Sequence, residues 1–497
     1  MERRTIPRHV RAAVDAHPER TWLVTEDSAF SYADALHEIE RAAAWLRHAG
    51  VGVGDRVLVT PRNTAAYLFS WLALMEVGAV QVPLNPASTP AELEGFVHQV
   101  RPALVITEPD LAASFGTRTV MVDELYSADA DGRGPADVAD RDAAVMIPTS
   151  GTTGRSKLVV QTHLAYVMAG EGFPWWLELT DDDRLMTTLP LFHINAPAYS
   201  VLGSVAAGAS LVLLPGFSAS SFLASARRFG ATQCNSIGAM LEILMRQPPC
   251  EDDADNPVRL CYTGPSPSRE RHLEIEARFG WEVRCGYALS ETPYGLVWRR
   301  GTRPYGTLGS PRQHPVLGHV NDARVHDEGG AAVAPGETGE LELRNPAVML
   351  GYFEMPDETA EVIVDGWLRT GDLVTDNGDA TYTFVGRKKQ VLRRRGENLS
   401  PTEVEAVLDS HPDVAESAVI GVPSDLSEED IKAFIVAMPG HAVDVAGVRA
   451  FAAERLARFK VPRYFEVVDD LPHTATGRLA KHRLDPGRNA TEVDTEG

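Results

Sequence analysis

Between the apolar run Val145-Met146-Ile147 and Lys157 the chain carries Thr149-Ser150-Gly151-Thr152-Thr153-Gly154-Arg155-Ser156. Gly151 and Gly154 free the backbone to turn N–H groups inward, and the hydroxyls of Thr149, Ser150, Thr152 and Thr153 add further donors. Lys157 supplies a compact positive charge just beyond them. Such a set suits the oxygens of a phosphate chain. It is not a Walker A sequence, because Lys157 follows Ser156 and precedes Leu158, where that motif has Gly before the lysine and Ser or Thr after it. The plainer reading is a Gly/Thr surface loop. Against it, the chain holds 6 lysines and 41 arginines, so a lysine kept beside this loop stands out.

Other residue types fit the same chemistry. Asp372 is expected at the end of a Gly-containing turn, where a carboxylate accepts two hydrogen bonds from adjacent hydroxyls. Arg387 adds a fixed positive charge. Tyr287 offers a flat face for stacking, and Glu291 an oxygen ligand for a divalent cation. His193 follows Pro190-Leu191-Phe192. Each has an ordinary alternative: a turn-capping Asp, a solvated Arg, a core Tyr, a surface Glu, a structural His.

The elements that must hold these groups read as parallel α/β. Ser31-Tyr32-Ala33-Asp34 opens a helix whose Leu36, Ile39, Ala43 and Leu46 recur at helical spacing until Gly50. A strand at 56–60, an apolar helix around 67–75 and a strand at 79–82 then have the order of a βαβ unit. Strand and helix signals alternate to about Val385. Six basic residues follow within nine positions: Arg387, Lys388, Lys389, Arg393, Arg394 and Arg395. From Gly386 onward there are 16 basic and 19 acidic residues, so this part carries −3 of a net −22. The shift marks a boundary, giving domains 1–385 and 386–497. Ser400, Pro401 and Glu403 predict a capping box at a helix start, and the polar residues from Pro486 predict a loose tail.

At 497 residues the chain exceeds the roughly 250–300 at which one core stops growing. The charge of −22 argues against nucleic acid or anionic lipid as partner. Cys234, Cys250, Cys261 and Cys285 have no metal-site spacing and no disulfide framework, and the N-terminus lacks an apolar signal region, so a cytoplasmic enzyme is expected. The charge-free stretch 192–226 is long enough to span a bilayer. Gly203, Gly208, Pro215 and Gly216 break it into a short helix and the buried strand Leu211-Val212-Leu213-Leu214.

The loop resembles the phosphate-binding signature of the adenylate-forming superfamily, which includes acyl-CoA synthetases and adenylation domains. Further landmarks resemble that family in order: Pro190 to His193, Gly286-Tyr287-Ala288-Leu289-Ser290-Glu291-Thr292, Gly339-Glu340-Leu341, Gly366 to Asp372, Gly386-Arg387, Gly396-Glu397-Asn398 and Thr474-Ala475-Thr476-Gly477-Arg478. With the loop, these motifs run in order over more than 300 residues, so the resemblance covers almost the whole chain. The resemblance implies a large multi-sheet N-terminal domain and a small mobile C-terminal α+β domain, joined by a hinge at Lys389. It implies that a small-molecule carboxylate attacks the α-phosphate of ATP, giving acyl-AMP and pyrophosphate, and that a thiol then displaces AMP. The expected thiol is CoA, with a carrier protein acting in trans as the other choice.

By the same resemblance Lys157 serves the β/γ-phosphates of ATP, Asp372 accepts from the ribose hydroxyls, Arg387 reaches the ribose or a phosphate, Tyr287 stacks on adenine, Glu291 is an oxygen ligand to the Mg2+ that accompanies ATP, and His193 lines the approach to the acyl centre, with Asn195, Ser236 and Gly264 as pocket-side positions. The late motif normally supplies a second lysine bridging the acyl carboxylate and α-phosphate. Here that position is Arg478, which keeps the charge without the compact ammonium. Ala288 and Ser290 replace the usual Gly and Thr, and Gln390 a common Asp. These departures keep two alternatives open: activation of another anion such as nitrite, as in some diazotising relatives, or a nucleotide-binding protein without catalysis.

Overall fold

The computed structural model describes residues 3–60, 62–149, 156–327, 329–388, 392–394, 397–424, 429–456, 458–473, 479–489 and 491–495. The architecture is mixed α/β. The chain forms two compact units, one of Met1–Arg324, Glu342–Thr370 and Asn377–Thr383, the other of Val325–Leu341, Gly371–Asp376 and Phe384–Gly497.

The first unit holds two large sheets. One runs Gly351–Tyr352, Lys157–Thr162, Ala143–Thr149, Val80–Pro83, Arg56–Val59, Leu104–Thr107, Thr119–Met121. Its centre is the expected βαβ unit, with Arg56–Val59 and Val80–Pro83 parallel across the helix Ala65–Glu76. The other sheet has nine strands, among them Glu282–Leu289, Leu260–Thr263, Gln233–Asn235, Arg184–Thr187 and Ser210–Leu213 in neighbouring, mutually parallel order. Their buried side chains and those of the helix His163–Leu177 join one apolar cluster. That helix is buried along nearly its whole length, with Trp175 its one exposed side chain, which explains why it shows no polar face. The helix Tyr32–His48 starts as predicted: Asp34 N–H donates to Ser31 Oγ at 3.0 Å and Ser31 N–H to Asp34 Oδ2 at 3.1 Å.

The charge-free stretch divides into a π-helical turn Ala196–Val201, a short helix Leu202–Ala207 and the strand Ser210–Leu213. Among the described residues no helix is long and apolar enough to cross a membrane.

The second unit contains a four-stranded sheet, Val414–Pro423, Glu429–Ala437, Tyr464–Val468 and Glu492–Asp494, packed with the helices Pro401–Asp409 and Val445–Arg455 around Val404, Leu408, Ile431, Val448 and Phe465. Two expectations are corrected here. The tail is not loose: Glu492–Asp494 pairs with Tyr464–Val468 because it brings Glu492 to the buried Lys432 at 2.9 Å and Asp494 to Arg463 at 3.0 Å. A buried ammonium requires such a partner. The capping box at Ser400 does not form either. Ser400 is the N-cap but makes no side-chain capping bond, and the carboxylate of Glu403 is taken by Lys460 at 2.6 Å.

Candidate active site

Lys157 opens the strand Lys157–Thr162, directly opposite Thr149 in the antiparallel ladder. Thr149 Oγ1 donates to the Lys157 carbonyl at 3.3 Å, so the residues flanking the candidate phosphate loop are tied together. Ser150, Gly151, Thr152, Thr153 and Gly154 lie outside the described residues, as do Lys389 and Arg478. The Lys157 ammonium sits 4.5 Å from the ring centroid of Tyr352. Tyr352 Oη in turn donates to Glu291 Oε1 at 3.0 Å. Three segments far apart in sequence thus meet around one aromatic ring. Glu291 is anchored by its own carbonyl, which accepts from Met349 N–H at 2.8 Å, and Gln161 Nε2 donates to the Ser290 carbonyl at 2.7 Å. Tyr352 and Gln161 carried no motif signal, since each is recognisable only through its strand register.

Tyr287 and Ser290, both half-buried, lie at the end of the strand Glu282–Leu289 and in the turn after it. Gly264 follows the neighbouring strand Leu260–Thr263, and a Cβ there would lie 2.5 Å from the carbonyl oxygen of Gly286. Its smallness is therefore already required by backbone-to-backbone packing. His193 is half-buried against Phe192, with ring centroids 4.7 Å apart. The turn bearing it is held by Asn63, whose Oδ1 accepts from Leu191 N–H at 2.9 Å and whose Nδ2 donates to the Leu189 carbonyl at 2.9 Å. Asn63 was not legible from sequence. Asn195 Oδ1 accepts from Asn235 Nδ2 at 3.0 Å, whereas Ser236 turns into the sheet, its Oγ 3.2 Å from Cys261 Sγ. Ser236 is therefore not a pocket-side group.

In the second unit Asp372 is buried, 1% exposed, and its Oδ1 pairs with Arg387 Nε at 2.6 Å. Asp372 stands inside the strand Trp367–Asp376, directly after Gly371 at positive φ, and the tight reversal before it falls at Asp365-Gly366, both also at positive φ. Beside it Lys388 Nζ pairs with Glu340 Oε2 at 2.8 Å, and Gly371 N–H donates to Glu340 Oε1 at 3.1 Å. Arg394 is buried on Asp430 at 3.0 Å. Three of the six clustered basic residues thus engage carboxylates of their own unit.

Arrangement and sequence agree with known proteins. Residues 10–353 match the AMP-binding enzyme family, and residues 403–478 match the AMP-binding enzyme C-terminal domain. The chain is 30% identical to a crotonobetaine/carnitine–CoA ligase of Salmonella arizonae, covering 94% of this chain and 96% of that protein. It superposes on ATP-bound MatB from Rhodopseudomonas palustris with a TM-score of 0.89 at 27% identity, covering 97% of this chain and 98% of that one. With the O-succinylbenzoate coenzyme A synthetase of Bacillus subtilis in complex with AMP, the TM-score is 0.88 at 27% identity over 97% and 98%. The chain belongs to the AMP-binding enzyme family and, within it, to the ligases of the acyl-CoA synthetase type. Its reaction is the ATP-dependent activation of an acid as acyl-AMP, followed by transfer of the acyl group to a thiol.

Proposed function

We propose that the chain joins a small-molecule carboxylate to CoA through an acyl-AMP, with Lys157, Glu291, Asp372, Arg387 and Arg478 as the polar working groups. One observation carries the reading. Lys157 closes the phosphate loop and, among the described residues, pairs with no carboxylate, whereas Lys388, Lys432, Lys460 and Lys481 all do. A cation left uncompensated beside such a loop is suited to an incoming polyanion.

Lys157 binds the β/γ-phosphates, and the loop from Thr149 to Gly154 wraps its donors around them. Asp372 accepts from the ribose hydroxyls and is held in place by Arg387 at 2.6 Å. Tyr287 lies against adenine, with Ser290 and Gly264 beside it, and His193 borders the acyl group. Arg478 holds the acyl carboxylate against the α-phosphate, so that the two anions meet under one positive charge.

Glu291 fits a magnesium ion. It is a single carboxylate with one oxygen already oriented by Tyr352, and no cluster of three ligand side chains occurs among the described residues. Magnesium is commonly held by one or two carboxylates together with substrate phosphates. When bound, the ion neutralises charge on the departing pyrophosphate. Between adenylation and thiol transfer the C-terminal region from 386 turns about a hinge near Lys389, which clears the site for CoA. A cytoplasmic setting suits the four cysteines, all unbridged.

The test is ATP–pyrophosphate exchange over a panel of carboxylates and nitrite, followed by thioester formation with and without CoA. Exchange with at least one carboxylate and a CoA-dependent product is expected. Exchange with nitrite alone, or tight ATP binding with no exchange at all, overturns the reading. Lys157→Met raises the Kd for ATP about tenfold or more.

A further inference from the structure

Tyr352 occupies a position that no motif explains. It lies directly opposite Val159 across the antiparallel pair of Gly351–Tyr352 and Lys157–Thr162. Lys157, two residues before Val159, therefore projects from the same face as a diagonal neighbour, within reach for a long side chain. The result is the ammonium over the ring at 4.5 Å. At the other end of the ring the hydroxyl donates to Glu291 at 3.0 Å. Tyr352 touches both charged groups, and Lys157 and Glu291 form no ion pair with each other among the described contacts. The tyrosine is itself held firmly. Its N–H donates to Thr359 Oγ1 at 2.9 Å, and that hydroxyl donates to the Met355 carbonyl at 2.7 Å.

A lysine and a glutamate left near each other collapse into a direct pair, which neutralises the cation needed for phosphate and the carboxylate needed for a divalent ion. An aromatic face attracts the ammonium more weakly than a carboxylate does, so a phosphate can displace it. The phenol hydroxyl donates to one oxygen of the carboxylate and fixes it in place. We infer that Tyr352 is a positioning residue: a spacer that keeps Lys157 available to the phosphates and separately orients Glu291 toward the metal. This rests on the roles given above to Lys157 and Glu291.

The two contacts can be removed one at a time. Tyr352→Phe keeps the ring and loses the hydroxyl; Tyr352→Leu loses both. ATP binding is measured by calorimetry in EDTA, then again across a magnesium titration, alongside pyrophosphate exchange. For Tyr352→Phe the Kd for ATP in EDTA stays within about twofold of wild type, while the magnesium concentration at half-effect rises about fivefold or more. For Tyr352→Leu the Kd in EDTA itself rises about tenfold. Wild-type binding by Tyr352→Leu in EDTA, or identical behaviour of the two variants, overturns the spacer. Lys157→Met is run beside them. If it also binds ATP as wild type does, the assignment of Lys157 fails; if it alone weakens binding, only the role of Tyr352 fails.

Discussion

Gly286 offers a sharp test of how the core around Arg312 is packed. A methyl group there would lie 2.5 Å from the Tyr262 hydroxyl oxygen, 2.9 Å from Tyr262 Cε2 and 3.0 Å from Arg312 Nη2. None of these has room to retreat. Arg312 is fully buried, its Nε donating to the Leu296 carbonyl at 3.0 Å and its Nη1 to Tyr199 Oη at 2.7 Å and the Pro293 carbonyl at 3.0 Å. Its Nη2 donates to Tyr262 Oη, and its guanidinium lies 4.6 Å over Trp176. The Tyr262 ring is wedged between Phe173 and Tyr199.

Gly286→Ala must therefore push this cage aside, at about 1–3 kcal/mol. Tyr262→Phe alone removes one charge-assisted hydrogen bond, at about 1–3 kcal/mol. In the double variant the atom nearest the new methyl is gone, so the combined loss falls short of the sum by about 1 kcal/mol. Urea unfolding followed by tryptophan fluorescence reads all four proteins, with Trp176 reporting from within the cage. Additivity to within about 0.3–0.5 kcal/mol would show that methyl and hydroxyl do not meet, and the packing argument would fall.

Three further outcomes are expected. His163 is buried at the start of its helix, and its Nδ1 accepts from Ile6 N–H at 3.5 Å; burial, opposed by Asp142, pulls its pKa from 6.5 down to about 4. The folded ring stays neutral where the unfolded one takes a proton, so stability is whole above pH 6.5 and falls by about 3 kcal/mol as pH drops to 4. His163→Gln flattens that slope in urea midpoints, and an unchanged slope refutes the assignment. Glu492→Gln leaves Lys432 with Glu466 as its one carboxylate partner and weakens the second unit by about 1.5–3 kcal/mol, whereas the exposed Glu454→Gln is neutral to within about 0.5 kcal/mol in the same unfolding assay. Arg478→Ala slows AMP transfer about a hundredfold and Arg478→Lys far less, measured by pyrophosphate exchange; an unaffected Arg478→Ala removes the bridging role.

The sequence by itself determined what is local. The Gly/Thr-rich run from Thr149 to Lys157 is contiguous, and its candidacy as a phosphate loop follows from residue types at fixed spacing, so Thr149 and Lys157 were legible as candidates without a fold. The same holds for the Ser31/Asp34 helix start and the strand–helix–strand unit at 56–83, where all partners lie within a few residues or one period. Ser400 and Glu403 show the same capping spacing, but only the folded second unit decided that Glu403 goes to Lys460, 57 residues away. Likewise nothing in the polar tail announces a strand. It is ordered because the sheet buries Lys432, whose ammonium is paired by Glu466 and by the distant Glu492 together. Tyr352 became significant through register alone, since a cross-strand neighbour is set by how strands align and not by any spacing along the chain.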